Sequence, residues 1–514
     1  MKEKKKSSFG SYVQKFATVC LLTTLMGSAL AGCSKGGDSG TGTEKRVLRI
    51  GFMYSSPDNE QWVRQQFTDS YELLHPELDI QIVGAVNYDD MRFEERDPNK
   101  PYTEPDTYGK LKELLDGPNP VDVVVLDNGY NSTSYLKRLV QDNMLKQLDT
   151  YIQDKEFDID DYVPAVIDGI KEAGDNAIYA LTPTFNSSAL FYNPKVFTDA
   201  GVEPPTDNMM WDDVINKAKV VAKGEKTKRI FGLQFNRWGG DPFWDMQQSY
   251  LPALQLKMYD DKGEKMSVST PQWEKVFTTM ASLYKDKIVP SGEDMYADQK
   301  PDANGNMPFN PFSGDLFING RVAMTVGRYE YITELERAKE QHAKNDKVPS
   351  VDWQVVTMPQ HSENPGFGSD VTLSNLMGIS AKASNPEDAW DFIAFNNSKE
   401  WAKLKSRSTY DLIARKSMLK PRNGADYNIA AFYTLKPISP ISVEMEKLQR
   451  EKPGINNLPS LGQQAFQQVM ENKKSAADAL KEWETKGNAF LQKLKDNPNA
   501  WIEETEGGVP GRVY

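Results

Sequence analysis

The stretch Val47-Leu48-Arg49-Ile50-Gly51-Phe52-Met53 is an apolar run that predicts a buried β-strand. Apolar side chains then recur every three or four positions from residue 63 to Leu74, which predicts a helix. Two more apolar runs, at residues 79–83 and 121–126, have the same character as the first. Strands that alternate with helices and carry no polar face are typical of a parallel sheet covered on both sides. The sequence therefore predicts the α/β fold class.

The N-terminus has the layout of a secretory leader. Four lysines within the first six residues, with Lys15 after them, precede the apolar residues 16–31. This run is shorter than the roughly 20 apolar residues that a membrane-spanning helix needs. We therefore expect residues 1–32 to be a signal peptide that is removed.

The leader ends in Leu30-Ala31-Gly32-Cys33, which resembles a lipobox, the site where a cysteine thiol receives diacylglycerol. Cys33 is thus the predicted lipidation site, a membrane anchor with acyl groups such as palmitate. The alternative is an ordinary secretory signal with a chance cysteine. Two acyl chains suffice for stable anchoring, whereas one does not. Residues 33–45 are rich in Gly, Ser and Thr and are expected to form a flexible tether.

Composition excludes several classes of function. The net charge of −12 argues against nucleic acid as a partner, because phosphate binding needs clustered Lys and Arg. Cys20 and Cys33 are the only cysteines, and Cys20 lies in the leader, so the mature chain has no disulfide and no thiolate metal site. The sequence contains no phosphate-binding loop, no Gly-x-Ser-x-Gly elbow and no His-Glu-x-x-His motif. We expect no cofactor and no catalytic or metal-binding residues.

Two polar stretches interrupt the pattern. Residues 87–120 look like an insertion with one helix, at 108–115, and residues 294–312 look like a long loop. Within that loop, residues 302–306 (Asp-Ala-Asn-Gly-Asn) allow a calcium-loop reading, but the glycine is fourth rather than sixth and no glutamate closes the motif. A turn is the alternative that we favour.

The C-terminal third is predicted to be helical. Asn385 is a suitable N-cap and Pro386 suits the first helical position. Further helices are predicted around residues 463–470 and 476–494. The tryptophans on predicted helical faces are expected to be core residues: Trp211, Trp390 and Trp401.

Several segments resemble one known family. They are Ala189-Leu190-Phe191-Tyr192-Asn193-Pro194-Lys195-Val196-Phe197, its continuation to residue 214, the segment 312–324 that ends in Ala-Met, and residues 353–359. On these residues the chain resembles the family 1 extracellular solute-binding proteins, the group that includes maltose-binding protein. The resemblance extends over nearly the whole mature chain. Extra residues near Met209 and the long insertion at 87–120 depart from the family pattern.

The resemblance implies a two-lobed periplasmic-binding-protein fold of type II, in which each lobe is a mixed sheet flanked by helices and a hinge joins the lobes. One lobe is expected from residues 46–182 and 360–422, the other from residues 183–359 and 423–514. The implied function is the substrate-binding subunit of an ABC importer, which captures a sugar or oligosaccharide by hinge closure. The implied partners are a carbohydrate, the ABC permease subunits and, through the lipid anchor, the membrane. We expect a monomer.

Candidate ligand-binding residues follow from the position of the strand ends. Open α/β sheets bind ligands at the carboxyl ends of their strands, which selects Tyr54, Ser55, Asp127 and Asn128. Asn186 lies at the first hinge crossing that the resemblance implies. Asp127 is expected either to accept hydrogen bonds from ligand hydroxyls or to cap the following helix.

A second group of candidates comes from aromatic residues in predicted loops. Asn236, Trp238 and Trp244 lie in a Gly- and Pro-containing segment, where aromatic side chains have less reason to be core. The tryptophans are expected either to stack on a sugar ring or to pin the loop to its lobe. Tyr329 is a candidate sugar platform, with a packing role as the alternative.

The remaining candidates are Phe367, in the loop 366–370 that is a candidate gate, and Tyr410 with its neighbour Asp411. Arg237 and Arg328 are available for a charged glycan but equally suit surface ion pairs. Two other classes of protein stay open at this point. A surface glycosidase would use a pair of the many carboxylates, and an adhesive lipoprotein would bind no small molecule tightly.

Overall fold

The computed structural model describes residues 45–93, 105–127, 132–297, 305–307, 309–407, 410–438 and 443–502. Its strands, numbered in chain order, are β1 Arg46–Ser55, β2 Leu78–Asn87, β3 Val123–Leu126, β4 Ala180–Leu181, β5 Thr184–Asn186, β6 Ser188–Tyr192, β7 Met324–Arg328, β8 Gln354–Val356, β9 Phe367–Ser369, β10 Thr372–Ser374, β11 Leu376–Ile379, β12 Leu412–Ile413 and β13 Lys436–Pro437.

The α-helices among these residues are α1 Pro57–Val63, α2 Asp69–Leu74, α3 Tyr88–Phe93, α4 Thr107–Asp116, α5 Ser132–Gln141, α6 Asp149–Asp154, α7 Pro164–Ala173, α8 Pro194–Ala200, α9 Trp211–Val221, α10 Pro242–Asp245, α11 Pro271–Lys285, α12 Gly292–Met295, α13 Tyr331–Lys344, α14 Pro386–Asn396, α15 Lys399–Lys405, α16 Val443–Glu451, α17 Leu458–Met470 and α18 Ala476–Asp496. Two π-helical turns, Arg64–Thr68 and Met246–Tyr250, follow α1 and α10.

The predicted parallel strands form the main sheet, whose order is β2-β1-β3-β11-β4. β1 is parallel to both β2 and β3, so that Gly51 lies opposite Val83 and Val124. β11 is antiparallel to β3 and to β4, which makes the sheet mixed. All four residues of β3 are buried, as is typical of a central strand in a sheet covered on both faces.

Short strands carry the chain out of the main sheet and back. β5 follows β4 closely and leads, through Ser187 alone, into β6, the centre of the β7-β6-β8 sheet. The return path runs through β9 and β10 into β11. β5 also pairs antiparallel with β10 and with β12, so outgoing and returning segments lie side by side in one small sheet. A narrow, multiply crossed connection of this kind is where a hinge is expected.

Buried hydrophobic residues form two clusters. The first packs around the main sheet and includes Phe52 and Trp390. The second lies where α11, α17 and α18 meet, with the rings of Trp273 and Trp483 at 5.4 Å in an edge-to-face pair. Tyr331 belongs to the first cluster although it lies in the range predicted for the second lobe. The lobe boundaries stay a prediction.

The predicted helices at 108–115, 463–470 and 476–494 are confirmed as α4, α17 and α18. Trp211, Trp390 and Trp401 are buried, as expected for core residues.

Two local predictions are corrected. Leu74 is 61% exposed rather than part of the apolar stripe, because the π-helical turn before α2 breaks the 3.6-residue period. α14 begins where predicted and Asn385 is its N-cap residue, but the Asn385 side chain donates to Asp388 instead of accepting a hydrogen bond from the helix backbone.

Residues 302–304, in the segment where a turn is favoured over a calcium loop, lie outside the described residues. Among the residues that are described, no group of acidic, His or Cys side chains is arranged to hold a metal ion. In the same part of the chain, no helix has both the length and the apolar character needed to cross a membrane.

Candidate functional site

The carboxyl edge of the main sheet carries two stacked tyrosines. Tyr54 is near the end of β1, and Tyr88 follows β2 directly and begins α3. Their ring centroids are 5.0 Å apart and the planes differ by 15°, a stacked pair that leaves Tyr88 48% exposed. Tyr54 and Ser55 also line a depression of about 390 Å³ beside Asn59 and Asn87. The predicted residues at this edge are therefore accompanied by an aromatic shelf.

Asp127 lies at the same edge, because the register of β1 and β3 pairs Phe52 with Val125. Burial raises the pKa of the Asp127 carboxyl to about 6, and hydrogen bonding to the backbone of Asp127 and Met53 offsets part of this effect. Its Oδ1 is buried and lacks a hydrogen-bond partner. Such an atom is energetically costly unless a ligand group supplies a donor. Asn128 lies outside the described residues.

A second set of candidates meets in a cavity of about 230 Å³ beside β6 and β7. Asn236 and Trp238 line it, and their role in ligand binding stays a prediction. The polar side chains that share the cavity with them are Ser188, Arg237, Gln248, Ser249, Arg328, Glu330, Tyr331 and Asp370. Trp244 is 58% exposed but is not among the residues that line this cavity.

Trp238 is held from one side by a cation. The Arg237 guanidinium lies 4.3 Å from the Trp238 ring centroid and 4.5 Å from that of Tyr331, so it is packed between two aromatic rings. Asp315 accepts hydrogen bonds from the Tyr331 hydroxyl at 2.9 and 3.0 Å and pairs with Arg237 at 3.2 Å. Trp238 itself remains 64% exposed. The arrangement orders one face of the indole and leaves the ring accessible.

The loop that carries Trp238 rests on a buried carboxylate. Asp245 accepts a hydrogen bond from the Tyr284 hydroxyl and a long one, 3.4 Å, from the Gly240 amide. Burial raises the pKa of Asp245 to about 6. Gly239 packs so closely on Asp245 that an added Cβ would lie 2.7 Å from its Oδ1. The π-helical turn that follows places Gln248 and Ser249 in the cavity.

Asn186 links the crossing strand to two carboxylates. Its Nδ2 donates to Glu330 Oε2 at 2.7 Å and to Asp411 Oδ1 at 3.1 Å, and it is buried. Burial is the largest cause of the raised pKa of Asp411, and Glu330 adds to it. The residue predicted at the first crossing thus holds β5 to the start of α13 and to the segment before β12.

The structure places Tyr329 in the core rather than in the cavity. The side chain is 4% exposed, its hydroxyl accepts a 3.1 Å hydrogen bond from Arg422 Nε, and its ring packs edge-on against Phe432. This arrangement corresponds to the packing alternative and corrects the platform interpretation. Phe367, in β9, lies under Lys436, and Tyr410 is 68% exposed. Neither is among the residues that line the cavity.

Sequence comparison assigns the chain to a family. The pattern of the family described as "Bacterial extracellular solute-binding protein" matches residues 99–431. The chain belongs to this family. It is a solute-binding protein, not an enzyme, and its family is extracellular. A Brucella abortus protein named only as a binding protein is 24% identical over 369 residues, which are 70% of this chain and 78% of that protein.

Solved structures of other proteins share the fold. A sugar transporter protein from Rhizobium etli, crystallised in an open conformation, has a TM-score of 0.58 at 18% identity and covers 86% of this chain and 99% of its own. An ABC substrate-binding protein from Listeria monocytogenes, in complex with cycloalternan, has a TM-score of 0.51 at 20% identity and covers 87% and 99%. The solute-binding protein described here therefore has the two-lobed α/β fold that was expected.

Proposed function

We propose that this solute-binding protein captures a neutral sugar or oligosaccharide between its lobes and delivers it to an ABC permease without changing its bonds. The observation that carries the proposal is the exposed Trp238 ring, ordered by Arg237 and facing a cavity lined with polar side chains. A sugar offers a weakly apolar face to an aromatic ring and hydroxyls to the groups around it. The Rhizobium protein is described as a sugar transporter, and the Listeria protein was solved in complex with cycloalternan. Both descriptions support the same ligand class.

The charges in the cavity favour an uncharged ligand. Arg328 donates to Asp370 at 2.8 Å and lies 3.7 Å from Glu330, and Arg237 is paired with Asp315. Both arginines therefore have carboxylate partners, which supports the ion-pair alternative over a cationic subsite for a charged glycan. A buried polar group left unpaired costs about 1–3 kcal/mol, so a sugar with misplaced hydroxyls would be rejected.

In this proposal the two candidate regions act from opposite sides of the ligand. The Tyr54–Tyr88 shelf and Asp127 belong to the predicted first lobe, and Trp238 to the predicted second lobe. The β10-β5-β12 sheet, where the chain passes between them, would bend as the lobes close. A shift from 1:99 to 99:1 in favour of the closed form needs about 5.5 kcal/mol of differential binding. The permease would recognise the closed conformation. The lipid at Cys33 would keep the protein at the membrane.

A glycan panel tests the proposal. We expect the melting temperature of the full chain to rise with at least one neutral saccharide, because a ligand at 100 times its Kd stabilises the native state by about 2.7 kcal/mol. No reducing sugar should be released over hours. The Trp238→Ala variant should lose the response, whereas Trp501→Ala should keep it, since Trp501 is 70% exposed and absent from the cavity lining. Stabilisation by none of the saccharides, or release of reducing sugar, would contradict the proposal.

A further inference from the structure

A second exposed aromatic ring packs next to the segment whose Asp315 pairs with Arg237. Tyr296 follows α12 and is 56% exposed. Its ring lies against Gly314, where an added Cβ would be 3.0 Å from a ring carbon and 3.5 Å from the hydroxyl oxygen. Gly314 has φ +84°, a conformation that suits glycine. Because Gly314 has no side chain, the Tyr296 ring can pack directly against its backbone.

Tyr296 and Trp238 are connected through adjacent residues. Gly314 directly precedes Asp315, the carboxylate that pairs with Arg237 at 3.2 Å. Arg237 in turn lies against the Trp238 ring. Gly314, which contacts Tyr296, and Asp315, which pairs with the arginine against Trp238, are thus consecutive residues. Both aromatic rings are more than half exposed.

The backbone around Tyr296 is fixed to the Trp238 loop. The Gly292 amide donates a 3.2 Å hydrogen bond to the Gly240 carbonyl. A capping box formed by Ser291 and Asp294 orders the start of α12, and Lys287 pairs with Asp294 at 2.8 Å. An exposed aromatic side chain on such an ordered backbone loses little entropy when a flat ligand covers it.

We propose that Tyr296 is a second stacking residue, which receives a sugar unit outside the cavity when Trp238 binds one inside it. The ligand class is then a linear oligosaccharide that extends from Trp238 to Tyr296, rather than a monosaccharide enclosed by the cavity alone. This inference rests on the proposed sugar-binding function and adds the direction and minimum length of the ligand.

The test uses the full chain, purified in detergent, and isothermal titration with four probe series: α-1,4-linked glucose and β-1,4-linked glucose, mannose and xylose, each from one to six units. Affinity for the accepted series is expected to rise with length until the Tyr296 subsite is filled. Tyr296→Ala should weaken binding of the long members about tenfold and leave the shortest bound member within twofold, because one stacking contact is removed. Tyr296→Phe should retain the affinity for long members.

The controls separate this inference from the function on which it rests. Trp501→Ala removes an even more exposed aromatic side chain, 70% against 56% for Tyr296, and should change none of the affinities. If a series binds but Tyr296→Ala weakens all lengths equally or none, the inference fails and the proposed function stands. If no member of any series binds the unmodified chain, the inference fails, and the glycan panel then decides whether the proposed function fails as well.

Discussion

Arg328 Nη1 donates a 2.8 Å hydrogen bond to Asp370 Oδ2 and so ties β7 to the turn between β9 and β10. A second bond of 3.1 Å, from Nη2 to Thr372 Oγ1, adds to the connection. Arg328 and Asp370 both line the cavity. They come from segments that the sequence assigns to different lobes, so the pair joins the two predicted lobes. The contact therefore bears on how the cavity closes more than on the stability of either lobe.

Asp370→Asn is expected to weaken saccharide binding several-fold while it lowers the free energy of unfolding by less than about 1 kcal/mol, as is typical of a partly exposed ion pair. Calorimetric titration and urea unfolding measure the two quantities. Asp199→Asn is the control, because Asp199 pairs with Lys195 at 2.8 Å within α8 and is also half-exposed. Equal effects of the two variants on Kd would show that Asp370 has no role in closure.

The Asp127 carboxyl predicts a pH dependence. Burial raises its pKa from 3.8 to about 6, so between about pH 4 and pH 6 the folded protein holds a proton that the unfolded chain has lost. The contribution of Asp127 to the free energy of unfolding therefore falls as pH rises through this window. Asp127→Asn should be no more stable than the unmodified protein at pH 4 and more stable at pH 7.

Urea unfolding at four pH values between 4 and 7.5 checks this difference. Asp245, whose pKa is also raised to about 6, titrates in both proteins and cancels from the comparison. Saccharide binding should show the opposite trend, because ionised Asp127 is the stronger acceptor for a hydroxyl. A stability difference that does not change with pH would rule out this assignment.

The sequence predicted the strands of the main sheet because β1 is predominantly apolar and β3 is apolar throughout, a signal that depends only on neighbouring residues. It missed Tyr88 because the apolar run of β2 ends near Val83 while the strand continues to Asn87. Had the strand end been placed correctly, the same rule that selected Tyr54 would have selected Tyr88.

The environment of Tyr329 was not predictable in the same way. Its hydroxyl partner Arg422 is 93 residues away in sequence, and no local pattern indicates that the two meet. The same holds for Arg237, whose neighbours Asp315 and Tyr331 come from later segments. Residue type and loop position identified Trp238, but the contacts that order its ring are tertiary.

Tyr329→Phe separates a packing role from a ligand-binding role. Loss of the hydroxyl leaves the partly buried hydrogen bond from Arg422 unmade, so we expect the free energy of unfolding to fall by about 1–2 kcal/mol. Saccharide affinity should stay within twofold of the unmodified protein. Denaturant unfolding measures the free energy of unfolding, and titration measures saccharide affinity. Trp238→Ala is the control with the opposite pattern: it should lower affinity and leave stability unchanged. A large loss of affinity with unchanged stability would restore the platform interpretation of Tyr329.

The packing of Gly239 on Asp245 gives the sharpest test of the Trp238 loop. A methyl group at position 239 would lie 2.7 Å from Asp245 Oδ1 and 2.9 Å from the Asn236 carbonyl, so the loop must shift. Gly239→Ala is therefore expected to weaken saccharide binding at least about tenfold and to change the intrinsic fluorescence of the unliganded protein, because Trp238 is displaced. Gly292→Ala is the matched control: its methyl group would meet no atom closer than 4.0 Å, although Gly292 hydrogen-bonds the same loop. It should leave affinity and fluorescence unchanged. If both variants bind saccharide like the unmodified protein, the position of the loop does not determine binding, and Trp238 cannot be the stacking residue.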